Sequence, residues 1–258
     1  MLDEVKGLVL RATNIGESDR LLTIYTEESG VITAFAKGSR SLKSRKMSST
    51  MQFCYSNFVL ETRGDKCWVK EASLIESFFG LRESIEGLAL AAYIVEVLSD
   101  VATAEAERDL LRLALNSLYA ISMKKSDVGK IKAAFEIRCA AILGFMPEIL
   151  SCHTCGEKDG EFFFNIMAGA IECSACHRKA QRLHTTLAEE HESNIIYILS
   201  AGAKVALGYC IYTPLEKLFS FSISDDDMHL FAKATEAYLL NHLERGFKTL
   251  DFYNEVKR

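Results

Sequence analysis

Two cysteine pairs, Cys152-x2-Cys155 and Cys173-x2-Cys176, stand 17 residues apart in SCHTCGEKDGEFFFNIMAGAIECSACHRKA. No other feature of the chain restricts its fold so sharply. A two-residue gap lets two thiolates reach one ion, and the intervening loop must return so that the second pair completes a tetrahedron. FFFNIMAGAI reads as the hairpin that makes this return. One structural Zn2+ is the expected occupant, because four sulfurs leave no open coordination position and no acid–base pair lies nearby. The competing reading is a reduced thiol cluster, or two disulfides in an oxidising compartment, which the rest of the chain does not suggest. His153, His177 and His184 are near enough in sequence to replace one ligand, although four cysteines need no substitute. Cys54, Cys67, Cys139 and Cys210 are scattered in apolar surroundings and read as core residues.

Charge singles out a second region. The 258 residues carry a formal net charge of −5, yet KGSRSLKSRK, residues 37–46, holds five cations and no carboxylate. From 37 to 70 the balance is eight basic residues to two acidic ones. Such a local surplus in an acidic chain points to a polyanion site, against the plainer reading of a solvated loop. Its surroundings are β-rich: 5–13, 20–28, 30–38, 53–62 and 66–74 form short apolar runs separated by the turn signals NIGESD, ESG and RGDK. Weak alternation in 31–36 suggests that some strands are buried on both faces. Five strands with a longer third connection fit a small closed barrel, of oligonucleotide-binding or SH3-like type. Cations on its rim would follow a phosphate backbone, and Trp68, Tyr55 and Phe53 are the aromatics available to stack bases. Arg11 and Arg20 flank the NIGESD turn and extend the basic track unless Glu17 and Asp19 pair with them.

Past residue 80 the period becomes helical. Ser84 is placed to cap a helix through Val95, a second runs over 105–122, and a third over 130–143 ends at Gly144. Ser224 precedes three aspartates and a long helix ending near Gly246. The expected class is α+β: an N-terminal five-stranded barrel of oligonucleotide-binding or SH3-like type at 1–80, then a mainly helical domain at 81–258 with the cysteine pairs in an insertion at 150–180. The start, MLDEVKGLVLRA, has acids where a secretory signal needs positive charge. The apolar stretch 193–215 is interrupted by Gly202, Lys204, Gly208 and Pro214, so two shorter buried segments are expected rather than a membrane span. A cytoplasmic location follows. There is no G-x-x-x-x-G-K-[ST] phosphate loop and no nucleophile–base arrangement, so neither ATP use nor catalysis is expected.

The series GLVLRATNIGESDRLLTIYTEESGVITAFAKGSR, SFFGLRESIEGLALAAYIVEVL, FEIRCAAILGFMPEI, the cysteine pairs and EAYLLNHLERGFKTLDFY resembles, in collinear order over essentially the whole chain, the bacterial RecO family of DNA repair and recombination mediators. The resemblance implies an N-terminal oligonucleotide-binding (OB-fold) barrel followed by a helical domain with a zinc-finger insertion. Its further implications are binding to single- and double-stranded DNA, strand annealing, and help in loading RecA onto strands coated by single-strand-binding protein. It also implies RecR and the acidic C-terminal tail of the single-strand-binding protein as partners, and a nucleoid-associated location. Lys37, Arg40, Lys43, Arg45 and Lys46 carry over as DNA contacts, with Arg11 and Arg20 beside them; Cys152, Cys155, Cys173 and Cys176 carry over as zinc ligands. Two other classes stay open: a zinc-dependent hydrolase, and an adaptor that binds only proteins.

Overall fold

Alternation along the first 76 residues builds a closed barrel. Its strands are β1 (Leu2–Ile15), β2 (Asp19–Thr26), β3 (Gly30–Ala36), β4 (Tyr55–Arg63) and β5 (Lys66–Glu76). They close in the order β1-β2-β3-β5-β4, and only the β3–β5 contact is parallel. In this computed structural model residues 2–103, 107–186 and 195–257 are described, the side chains of 183–186 excepted.

Inward-facing residues recur at every second position: Leu22 and Ile24, Ala34 and Ala36, Phe58 and Leu60, with Val5, Val9 and Val69. β1 is the strand buried on both faces, Gly7 to Leu10 being fully enclosed. Gly7 is required there, since a Cβ would stand 2.5 Å from Ile24 Cγ2. β3, where weak alternation suggests double burial, instead keeps Phe35 half-exposed between the buried Ala34 and Ala36.

The helices are α1 (Ile85–Val101), α2 (Arg108–Ser122), α3 (Val128–Ile142), α4 (Ser174–Thr186), α5 (Ala201–Tyr212), α6 (Asp225–Leu243) and α7 (Lys248–Val256). Ser84 Oγ accepts from the Gly87 N–H at 3.1 Å, and Ser224 Oγ from that of Asp227 at 3.2 Å, so both expected caps form. The left-handed residue ending α6 is Glu244, two positions before the expected Gly246.

Contacts divide the chain into two compact units, Met1–Lys125 with Phe247–Arg258, and Ser126–Gly246. In the first, α1, α2 and α7 accompany the barrel; Tyr25 donates to the Glu107 carbonyl at 3.0 Å, and α7 is tied to α1 by the Thr249 N–H on Glu96. The helices that follow residue 80 are thus shared between the two units. In the second, α3 packs on α5 and α6, and Lys132 Nζ joins Glu136 (2.7 Å) to Glu236 (2.6 Å) across the α3–α6 contact. This unit also carries a small antiparallel sheet, β6 (Phe162–Asn165), β7 (Ala170–Cys173) and β8 (Ile196–Leu199), in the order β7-β6-β8. The stretch read as two buried segments is this edge strand followed by α5; Ile196 and Ile198 on β8 are exposed. Among the described residues no helix is long and apolar enough to cross a membrane.

Candidate nucleic-acid interface and cysteine centre

The basic connection between β3 and β4 is a built structure. Successive turns at three-residue spacing run through it, with N–H groups of Ser41, Ser44 and Met47 bonded to the carbonyls of Gly38, Ser41 and Ser44. Both ends are tied down: the Arg40 N–H reaches the Ser18 carbonyl at 2.8 Å, the Phe53 N–H reaches the Val9 carbonyl at 2.9 Å, and the Val9 N–H reaches the Cys54 carbonyl at 2.9 Å. Asp19 Oδ1 accepts the Gly38 N–H at 2.7 Å, which is the chief reason its carboxyl lies below its ordinary range. Ser49 and Thr50 are buried beneath the turns, where Ser49 Oγ donates to the Ala72 carbonyl.

This architecture sorts the cations. Arg20 Nη1 donates to the Met47 carbonyl (2.9 Å) and to Thr50 Oγ1 (2.7 Å), so its guanidinium anchors the connection to the barrel. Arg40 Nη1 reaches the Gly16 carbonyl at 3.0 Å, and Lys46 Nζ the Val69 carbonyl at 3.3 Å. Burial is the main cause lowering the pKa of Lys46. Lys37, Lys43 and Arg45 are exposed along the connection, and Arg11 is exposed on β1. The side chains of Arg11, Lys43 and Arg45 make no ion pair or hydrogen bond among the described residues, and neither Glu17 nor Asp19 forms an ion pair with Arg11 or Arg20. Arg20→Ala is therefore expected to cost about 1–3 kcal/mol of stability and to expose the connection to protease, read by urea denaturation and limited proteolysis. Unchanged stability with weakened DNA binding would instead make Arg20 a contact.

Beside the connection lies a groove of about 390 Å3, lined by Lys37, Lys46, Glu61, Arg63, Trp68 and Lys70. Alternation assembles it: Phe35 and Lys37, Trp68 and Lys70, and Glu61 and Arg63 each share one face of adjoining chain segments. Phe35 pairs with Trp68 in the parallel β3–β5 register, and their rings lie 4.9 Å apart. Glu61 pairs with Trp68 across β4–β5, and its carboxylate bridges Arg63 Nη2 and Lys70 Nζ, each at 2.8 Å. Those bonds, Arg63 first, hold the Glu61 carboxyl down at about 2. Sequence reasoning missed Glu61, Arg63 and Lys70 as members of a site, although the alternation in KCWVK was there to read. Of the other aromatics, Phe53 is buried and Tyr55 donates its hydroxyl to Glu27.

In the second unit, the four expected cysteines meet. Their sulfurs all lie within 4.8 Å of one another, and Cys155 and Cys173 are 3.6 Å apart. A tetrahedral ion with bonds of about 2.3 Å to sulfur requires edges of about 3.8 Å, so the set fits such an ion. All eight cysteines are free thiols. Antiparallel pairing of Phe162 with Cys173 and of Asn165 with Ala170 makes the expected hairpin, and Cys176 lies in the first turn of α4. Burial opposes ionisation of Cys152, but the N–H groups of Cys173, Cys155 and Thr154 outweigh it and bring the thiol down to about 6.

Adjacent histidines turn away from the sulfurs. His177 stacks on Phe163 at 3.9 Å with Nδ1 3.4 Å from Glu172, and His153 Nε2 lies 3.8 Å from the same carboxylate. The His184 side chain lies outside the described residues. Cys54, Cys139 and Cys210 are buried and Cys67 half-buried; burial pushes Cys139 and Cys210 up to about 12, as befits inert core thiols.

Strand order, basic connection and cysteine knuckle together define a class: a protein built on a closed five-stranded barrel of oligonucleotide-binding type with a cationic connection, followed by helices and a metal-competent four-cysteine centre. The Recombination protein O N-terminal family matches residues 1–78, and the Recombination protein O C-terminal family matches residues 82–251. The chain belongs to the RecO family. It is 33% identical to the DNA repair protein RecO of Acetivibrio thermocellus over 258 residues, covering 99% of this chain and 97% of that one. It is 28% identical to that of Alkaliphilus metalliredigens over 260 residues, covering 99% and 100%.

Proposed function

We propose that residues 1–80 form the DNA-binding part of a recombination mediator, which holds single and double strands by their phosphates and brings complementary strands together. The observation that carries this reading is the set of exposed cations Arg11, Lys43 and Arg45, without carboxylate partners among the described residues of an acidic chain. Phosphates are the counter-charge such side chains lack. Lys37 and Arg40 extend the same track, with Arg20 and Lys46 shaping the surface that displays it. Neutralising phosphates on two strands lowers their mutual repulsion, which assists pairing without any bond being made or broken.

One Zn2+ at Cys152, Cys155, Cys173 and Cys176 fixes the knuckle in this reading; four thiolate ligands suit a structural ion rather than a catalytic one. Help in loading RecA onto strands coated by single-strand-binding protein, with RecR and the acidic tail of the coating protein as partners, completes the proposal and places the protein at the bacterial nucleoid. The family membership supports these roles.

The test is annealing. The protein is expected to accelerate duplex formation between complementary oligonucleotides at low salt and to lose that effect as salt is raised. No acceleration and no binding to either strand form would leave an adaptor that binds only proteins. Turnover of nucleic acid or peptide that disappears in Cys176→Ala, with the fold intact, would favour a zinc-dependent hydrolase.

A further inference from the structure

We propose that the outer face of β3, β5 and β4 is a stacking platform for one unpaired base, with Trp68 as its floor. This rests on the DNA-binding reading and deepens it, because a stacking platform discriminates between strand forms and a row of cations does not. Trp68 is half-exposed, lines the groove, and is braced by Phe35 at 4.9 Å on the neighbouring strand. Both residues are fixed by backbone pairing, so the indole is held in place before any ligand arrives.

The charges around the indole are arranged unequally. β5 lies between β3 and β4, which puts Trp68 at the middle of the groove. Lys37, just past the end of β3, stands on one side. On the other side, Glu61 already occupies Arg63 and Lys70 with two 2.8 Å bonds. A phosphate is therefore drawn toward Lys37, while its base lies across Trp68. The groove volume of about 390 Å3 falls within the range of clefts that enclose small-molecule-sized groups. Inside a duplex each base is stacked on both faces and cannot present one to the indole. Single strands gain the contact and duplexes do not.

The chain has one tryptophan, so its emission reports on this groove alone. Titration of the full-length protein with a dT homopolymer, at a salt concentration where a labelled copy of the same strand binds, is expected to quench that emission. A duplex of equal phosphate count is expected to bind without quenching. Trp68→Ala is expected to weaken binding of the single strand by roughly 5- to 100-fold and to leave duplex binding within about twofold. Trp68→Phe retains a ring to pack on Phe35 and is expected to keep most of the single-strand affinity, which separates stacking from a folding defect. Binding of the labelled strand without quenching, or an unchanged single-strand affinity in Trp68→Ala, would overturn the platform while leaving the cationic track standing. Absence of binding to either form would overturn both.

Discussion

Stripping the metal, or replacing Cys173 with serine, is expected to have the largest structural effect of any single change in this chain. Apparent binding energies of structural zinc in small domains run to about 10–16 kcal/mol near neutral pH. The reason for a large effect here is that the ion would gather three separate pieces of chain, the 152–155 turn, the end of β7 and the first turn of α4. The paired strands β6 and β7 have four residues each, and Cys152 is fixed by turn bonds, the Glu157 carbonyl accepting its N–H and its own carbonyl accepting that of Gly156. β6 is also paired with β8, and Phe162, Phe164 and Ile171 are buried, so the loss is expected in the cysteine turn and the start of α4 more than in the sheet. Wild-type protein should carry one zinc per chain, and Cys173→Ser none. The variant is also expected to become protease-sensitive between residues 150 and 180, while the barrel keeps its melting behaviour. Equal protease resistance in metal-free and metal-loaded protein would refute a structural role for the ion.

Local features were the ones readable beforehand. All five barrel strands, the caps at Ser84 and Ser224 and the cysteine hairpin depend on periodicity or on spacings of a few residues. What escaped depends on distance along the chain. Nothing near Arg20 announces that its guanidinium will be used by Met47 and Thr50, 27 and 30 residues away. The groove requires the parallel register of Phe35 with Trp68, which no run of residues encodes by itself. Likewise, Ile196 and Ile198 look like core residues until β8 proves to be an edge strand. His153 and His177 flank zinc-type cysteines in sequence, yet both face Glu172, because adjacency does not determine where a side chain turns. Packing of α7 on α1 joins residues about 150 positions apart, so helices that read as one continuous domain belong to different compact units.

The second large effect concerns affinity, and it follows from how the structure sorts the cations. Lys37, Lys43 and Arg45 project from the connection and take no part in holding it, whereas Arg20, Arg40 and Lys46 are bonded to carbonyls. The triple replacement Lys37→Ala, Lys43→Ala, Arg45→Ala should therefore leave the melting temperature nearly unchanged. Each lost single-strand phosphate contact removes about 0.7 from the slope of log K against log salt, so the slope should flatten by about 2. Extrapolated from molar salt, where the electrostatic contribution fades, that difference is roughly a hundredfold in affinity at 0.1 M. Duplex binding should lose slightly more per contact, about 0.9 each. Annealing should slow with it, because the same charges screen both strands. An unchanged slope would mean that phosphates are held elsewhere on the chain, however well the connection is built.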